Sequence, residues 1–293
     1  MGNARFVDVD WNRHAYATSA KSRDQIFTQR DIHPDLDPAK VKFREAVDSD
    51  ANPEATPIIL GADETGSMGI LAETIIKGSL GTIMKELYAR KPVTDPQIMC
   101  MALGDANCDS APLQVTQFEA SVEPMVDQIA KMYLEGHGGG NGGESYSLAW
   151  FFAAYKTKCD AIRKRHRKGY IFTIGDESPH PTLTKDQLTH FLGVSAETDM
   201  NSKVLLADTQ KDWHVFHLIV SPVTDQQVEK NWKALLRERA ILVPDIERLA
   251  EGIVAIIQLV EGGDPHVVMN GWKGDSALAV RTVTAQLVSA GAK

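Results

Sequence analysis

Cysteine is scarce in this sequence: Cys100, Cys108 and Cys159 are the only three in 293 residues. They are odd in number, widely spaced and without a CxxC pair, which argues against a disulfide framework and against a zinc–thiolate site. Long apolar runs are missing too, and no stretch would span a bilayer. The opening MGNARFVDVDW lacks the apolar core of a secretory signal, and Phe6 stands where a myristoylation signal carries Ser or Thr. Basic excess is also absent. The 39 acidic residues outnumber the 31 basic ones, giving a net charge of −8, which disfavours nucleic acid as a partner. These absences together lead us to expect a reducing, cytoplasmic (or virion-associated) protein with no membrane partner.

What is present is ordinary globular material: 43% of residues are hydrophobic, and the length allows a large core. Residues 1–55 are polar and charge-mixed and read as an N-terminal extension, with short strands around Phe6 to Trp11. Residues 56–262 read as the main domain, and 263–293 as a C-terminal segment with a terminal helix. Pro57–Ala62 and Ile98–Leu103 are apolar runs of buried-strand length. Leu113–Phe118 alternates like an edge strand. Tyr170–Ile174, Trp213–Val220 and Ala240–Val243 add further strands. Helical patterns cover Leu71–Tyr88, Val122–Leu134, Glu144–Lys158, Thr184–Leu192, Asp225–Arg239, Ile246–Val260 and Ser276–Val288. Val194–Asp212 reads as a polar loop. Strands alternating with helices predict an α/β fold, doubly wound, with a mostly parallel central sheet flanked by helices.

Ligands of such sheets collect at the carboxyl ends of the strands. Three loops are placed there. Asp63-Glu-Thr-Gly-Ser-Met-Gly69 follows the first strand. A glycine cluster, six glycines within Gly136–Gly143, precedes Glu144-Ser145. Gly175-Asp-Glu177 follows the strand ending at Ile174. A carboxylate followed by two hydroxyls at alternate positions aims three oxygens at one point, and Asp176 faces that point from another strand. Oxygen donors without His or Cys suit Mg²⁺ or Mn²⁺. Read alone, the Asp63, Thr65, Ser67 string also fits a helix N-cap.

The constellation resembles the von Willebrand factor A-type (vWA) domain. The metal-ion-dependent adhesion site of that family carries DxSxS after the first strand, a Thr in a second loop and an Asp in a third. Pro57-Ile-Ile-Leu-Gly-Ala-Asp-Glu-Thr-Gly-Ser-Met-Gly69 matches the first element, with Thr65 replacing the first Ser, and Phe172-Thr-Ile-Gly-Asp-Glu177 matches the third. The resemblance covers about residues 56–260 and is strongest to vWA proteins encoded by bacteria and their phages. It implies metal ligands Asp63, Thr65, Ser67 and Asp176, with Mg²⁺ or Mn²⁺ accepting a carboxylate from a partner protein. The second loop departs from the pattern, because Gly142 falls at the Thr position. Asn141 and Ser145 are the nearest oxygen donors, and Asp105 lies on the same sheet edge. The implied function is a non-enzymatic, metal-dependent interaction or assembly module, homo- or hetero-oligomeric, within a phage particle or multiprotein complex.

Two alternatives stand beside it: a hydrolase using Ser67 or Asp63 at the same strand end, and a vWA scaffold with a degenerate metal site. The rival catalytic motifs are each incomplete. A phosphate loop needs Lys where Ser67 stands, and a nucleophile elbow lacks its first glycine. Asp63 as a phosphoryl acceptor lacks a second Asp two residues on. A Ser67, Asp176, His180 triad is cramped, its acid and base four residues apart. The basic run Lys156–Lys168 reads as a solvated helix end. His214 and His217 point to opposite faces of one strand. Cys100, Phe151, Phe152 and Tyr155 read as packing residues.

Overall fold

The structure is a computed structural model and describes residues 5–64, 69–135, 142–220 and 226–289. Where short strands are expected near Phe6 to Trp11, the chain instead forms α1 (Asp8–Ser19), with Asp8 and Asp10 in the dipole-favoured first turn. Tertiary contact decides the outcome. The Trp11 ring packs so closely on Gly81 that a Cβ there would lie 1.8 Å from it. α2 (Arg23–Ile26) and β1 (Arg44–Ala46) follow. Ile26, Phe27 and Leu36 from this stretch are buried in the main core, so the stretch packs on the sheet.

β2 (Thr56–Asp63) leads through α3 (Gly69–Thr74), a π-helical turn (Ile75–Ser79) and α4 (Leu80–Arg90) to β3 (Pro96–Leu103) and β4 (Leu113–Val115). Then come α5 (Val122–Ile129), α6 (Ser147–Tyr155), β5 (Thr157–Cys159), α7 (Asp160–Arg165) and β6 (Gly169–Gly175). β7 (Thr182–Leu183), α8 (Lys185–Leu192), β8 (Met200–Asn201), α9 (Ser202–Asp212) and β9 (Trp213–Ile219) follow. α10 (Gln226–Leu236), β10 (Ala240–Leu242), α11 (Leu249–Val260), α12 (Pro265–Asn270) and α13 (Gly274–Ser289) complete the described chain. Among the described residues, no helix is long and apolar enough to cross a membrane.

Six strands form one sheet in the order β10-β9-β6-β2-β3-β4. Every neighbouring pair is parallel except β3 and β4, so the strand read as an edge is an antiparallel edge. Strand order reverses between β2 and β6, as it does at the switch point of a doubly wound sheet. The predicted α/β class is therefore the observed one. Side chains alternate between two cores. Ile58, Leu60, Tyr170, Phe172, Phe216 and Leu218 face α4, α5, α11 and α13. Ile59, Ile171, Trp213 and Val215 face α6, α8, α9 and α10. The same alternation puts His214 and His217 against different cores, where they touch Tyr170 and Trp232 respectively.

Several expectations are corrected. Val194–Asp212 is not all loop: α9 starts at Ser202, capped by Asn201 Oδ1 accepting from Lys203 N. Only Leu205, Leu206 and Thr209 among its later residues are buried, too sparse a stripe to read as a helix. The helix expected over Glu144–Lys158 is shorter, and β5 follows it. Tyr155 is half exposed but packs between helices as expected, its ring 4.9 Å from that of Phe151 and its hydroxyl on Asp208 Oδ2 at 2.8 Å. The basic run is in part the expected solvated helix end, with Arg163, Lys164 and Arg165 in the last turn of α7 and Lys164 largely exposed, but its first lysine is not. Lys156 is buried and donates to Pro38 O and to Leu192 O. Arg165 donates to Asp48 Oδ2 (2.6 Å) and Ala55 O (2.7 Å), and Lys168 to Gln210 O. Lys156 and Arg165 clamp the N-terminal stretch, together with β1 paired in parallel to β5.

Candidate functional site

Asp63 ends β2 at the switch point, and its side chain is fully buried. Strand alternation turns it to the side of Ile59, toward α6. There Tyr146 Oη donates to Asp63 Oδ2 at 3.0 Å. Tyr146 is fully buried, edge-on to His217 and to Trp232, with centroids 4.9 and 5.2 Å away. Burial, and then the charges of Asp63 and Glu144, hold its phenol well above the usual tyrosine range; Asp176 adds to this. The phenol therefore keeps its proton and serves as a donor. Gly175 makes room for it, because a Cβ there would lie 2.0 Å from Tyr146 Oη and 3.0 Å from Asp63 Cβ. Tyr146→Phe is expected to destabilise the metal-free protein by about 1–3 kcal/mol in urea unfolding, since a buried carboxylate loses a donor. A change under about 0.5 kcal/mol would show that the bond matters little.

The loops on either side are tied together by hydrogen bonds. Glu144 N donates to Ser178 O (2.9 Å) and His180 N to Glu144 O (3.1 Å), joining the end of the glycine loop to the loop that carries Asp176. Ser145 Oγ accepts from Ala106 N (2.9 Å) and donates to Asp105 Oδ1 (3.2 Å). Asp105 is buried and also meets His180 Nε2 at 2.9 Å. His180 is thus engaged with Asp105, not with Asp176 as a triad would require. Ser145 and Asp105 bond to each other, whereas Asp63 is held by Tyr146. Asp176 is half-buried directly after Gly175. Thr65, Ser67, Asn141 and His137 lie outside the described residues. Gly142 is described: it is exposed and has φ +72°, a left-handed conformation that disfavours the threonine of the family pattern.

The surroundings are acidic. Glu64 is buried and accepts from Gln114 Nε2 at 3.2 Å. Burial raises its carboxyl well above the usual range against the pull of that hydrogen bond, and Asp63, Asp109 and Glu135 raise it further. Among the described residues no three His, Cys, Asp or Glu side chains converge as a metal cage. The donor set is one of carboxylates from two strand ends with hydroxyls between them in sequence. Such hard oxygens fit Mg²⁺ or Mn²⁺. Sequence reasoning missed Tyr146, whose one signal is its place behind the glycine cluster, and it missed Trp232.

Behind the site, His217 is fully buried and lies flat on Trp232 at 3.5 Å, with Nδ1 2.9 Å from Thr173 Oγ1. Burial holds its imidazole well below the ordinary 6.5. The folded state then binds fewer protons than the unfolded one below that pH, so stability falls as pH drops. The share owed to His217 is up to about 2 kcal/mol by pH 5. His217→Gln is expected to flatten the stability profile between pH 7 and 5, measured by urea unfolding. An unchanged slope would show that His217 is not its source. His214, pushed down to about 4 by burial and by Arg239, adds a slope of the same sign that the variant retains.

No family model matches the chain, and no curated protein matches it. Solved structures similar to it include the pilus adhesin SpaC from Lactobacillus rhamnosus GG in its open conformation, 8% identical with a TM-score of 0.46 over 76% of this chain and 31% of that one. A von Willebrand factor type A protein from Catenulispora acidiphila is 10% identical, with a TM-score of 0.42 over 71% of this chain and 43% of that one. Proximal thread matrix protein 1 from the mussel byssus is 10% identical, with a TM-score of 0.44 over 71% and 46%. The chain spans less than half the length of each of these proteins.

Proposed function

We propose that this chain is a divalent-cation-dependent protein-binding module with an adaptor or assembly role. The observation that carries the reading is the buried Asp63 carboxylate at the sheet's switch point, held by the hydroxyl of Tyr146. Asp63, Thr65, Ser67 and Asp176 would hold Mg²⁺ or Mn²⁺, Asp176 directly or through water. When bound there, the cation supplies an open coordination position for a partner's carboxylate. The protein's own residues do the rest. Tyr146 fixes Asp63, and the bonds of Glu144 to Ser178 and His180 hold the loop of Asp176 in place. Ser145 and Asp105 brace the neighbouring loop.

Immobilised protein is expected to capture a partner from a host lysate in Mg²⁺ buffer and to release it on EDTA. Asp176→Ala is expected to capture far less. Capture that survives both EDTA and this substitution would overturn the metal-dependent reading in favour of a metal-independent scaffold.

A further inference from the structure

At the amino ends of the strands, opposite Asp63, lies a cavity of about 360 Å³. His214 and Phe216 of β9 form its floor, with Leu259 of α11, Pro265 of α12 and Leu287 of α13 as apolar walls. Arg239, just before β10, supplies the charge. Its guanidinium lies over the Phe216 ring, 5.3 Å from the centroid, and makes no hydrogen bond or ion pair with the described residues. Glu261, the acid beside the cavity's Gly262, is already occupied. Arg167 Nη2 donates to it at 2.6 Å, and the Tyr170 hydroxyl donates as well. Glu238, next to Arg239 in sequence, is the one carboxylate whose charge bears on the guanidinium. Among the described residues, His214 Nδ1 is buried with no hydrogen-bond partner. That nitrogen costs least as the unprotonated one, which leaves the N–H on Nε2. The charges bearing on His214 are Arg239 and Lys168, both positive.

A half-buried, unpaired guanidinium beside a ring N–H, over an apolar hollow, is a receptor for an anionic head and a greasy body. The volume lies at the small end of the range for ligand pockets, about 300–1,000 Å³. We propose that this cavity binds a small monocarboxylate with an apolar body, of the medium-chain fatty-acid class. The carboxylate pairs with Arg239 and accepts from His214 Nε2, and the tail lies among Leu259, Pro265 and Leu287. This site does not depend on the metal reading.

The test is titration calorimetry on the full chain in EDTA, with octanoate, octanol and octylamine as probes. Octanoate is expected to bind at least about tenfold more tightly than octanol, with octylamine weakest. Arg239→Gln brings octanoate down to the level of octanol and leaves octanol unchanged. Leu287→Trp, which fills the hollow, blocks both, with the fold checked by its circular dichroism melt. Equal binding of octanoate and octanol would mean a merely apolar crevice and overturn the proposal. A preference that survives Arg239→Gln, or no octanoate binding at millimolar concentration, would also overturn it.

Discussion

Mg²⁺ is expected to raise the melting temperature of the wild-type protein and to leave that of Asp63→Asn where it started. Asp63 is fully buried, and the charges acting with it on Tyr146 are Glu144 and Asp176. A buried carboxylate is costly to hold away from water, and a dication beside it offsets that cost. Any ligand that binds only the folded state adds RT ln(1 + [L]/Kd), about 2.7 kcal/mol at a hundredfold excess over Kd. For a chain of this size that is a shift of roughly 4–5 °C. Asn at position 63 keeps an oxygen for Tyr146 Oη but removes the charge. Without metal the variant is therefore expected to melt no lower than wild type, so a lost Mg²⁺ response cannot be mistaken for misfolding. A variant that still shifts with Mg²⁺ would remove Asp63 from the ligand set. A wild-type protein that does not shift at millimolar Mg²⁺ or Mn²⁺ would favour the degenerate-site scaffold.

The parts of this fold that were legible in the sequence are those whose signal is local. Strands β2, β3, β6 and β9 are buried on both faces and so read as apolar runs. Asp63 and Asp176 stand at the ends of two such runs, which is why both can be placed at the carboxyl ends of the strands from sequence, whereas the switch point needs the strand order. α8 falls within the helical pattern expected over Thr184–Leu192, and the structure shows Thr184 and Gln187 forming a capping box at its start. What could not be read is set by distant partners. β1 and β5 are three residues each and exist as strands because they pair with each other. The contact of Tyr146 with Asp63 spans 83 residues of sequence. Lys156 looks like any solvated lysine until Pro38 O and Leu192 O are placed around its ammonium group. Composition gives the charge of the basic run but not the carbonyls that meet Lys156, Arg165 and Lys168.

Trp232→Ala is expected to lower stability by about 3–5 kcal/mol, the range for removing a large aromatic from a packed core. The side chain is fully buried on α10, flat against His217 and edge-on to Tyr146 and Trp150. For a protein with about 5–15 kcal/mol of total stability, that loss is a large fraction of the whole. The indole also reaches the candidate site. Its Nε1 donates to Glu177 O at 2.9 Å, and the adjacent Asn231 Nδ2 donates to Ser178 Oγ at 2.9 Å. Two bonds from α10 therefore hold the loop that carries Asp176. Trp232→Phe separates the two roles. It retains most of the packing, and it loses the bond to Glu177 O and some ring volume. Its stability cost is expected to be about 1–2 kcal/mol. Its Mg²⁺ affinity is expected to fall further than that cost alone implies, because the Asp176 loop is no longer held by the indole N–H. Calorimetric Mg²⁺ binding measured well below both melting temperatures separates the outcomes. If Trp232→Phe binds Mg²⁺ as wild type does while Trp232→Ala merely melts earlier, then Trp232 supports the core alone, and the position of Asp176 is set by the bonds of Glu144 to Ser178 and His180.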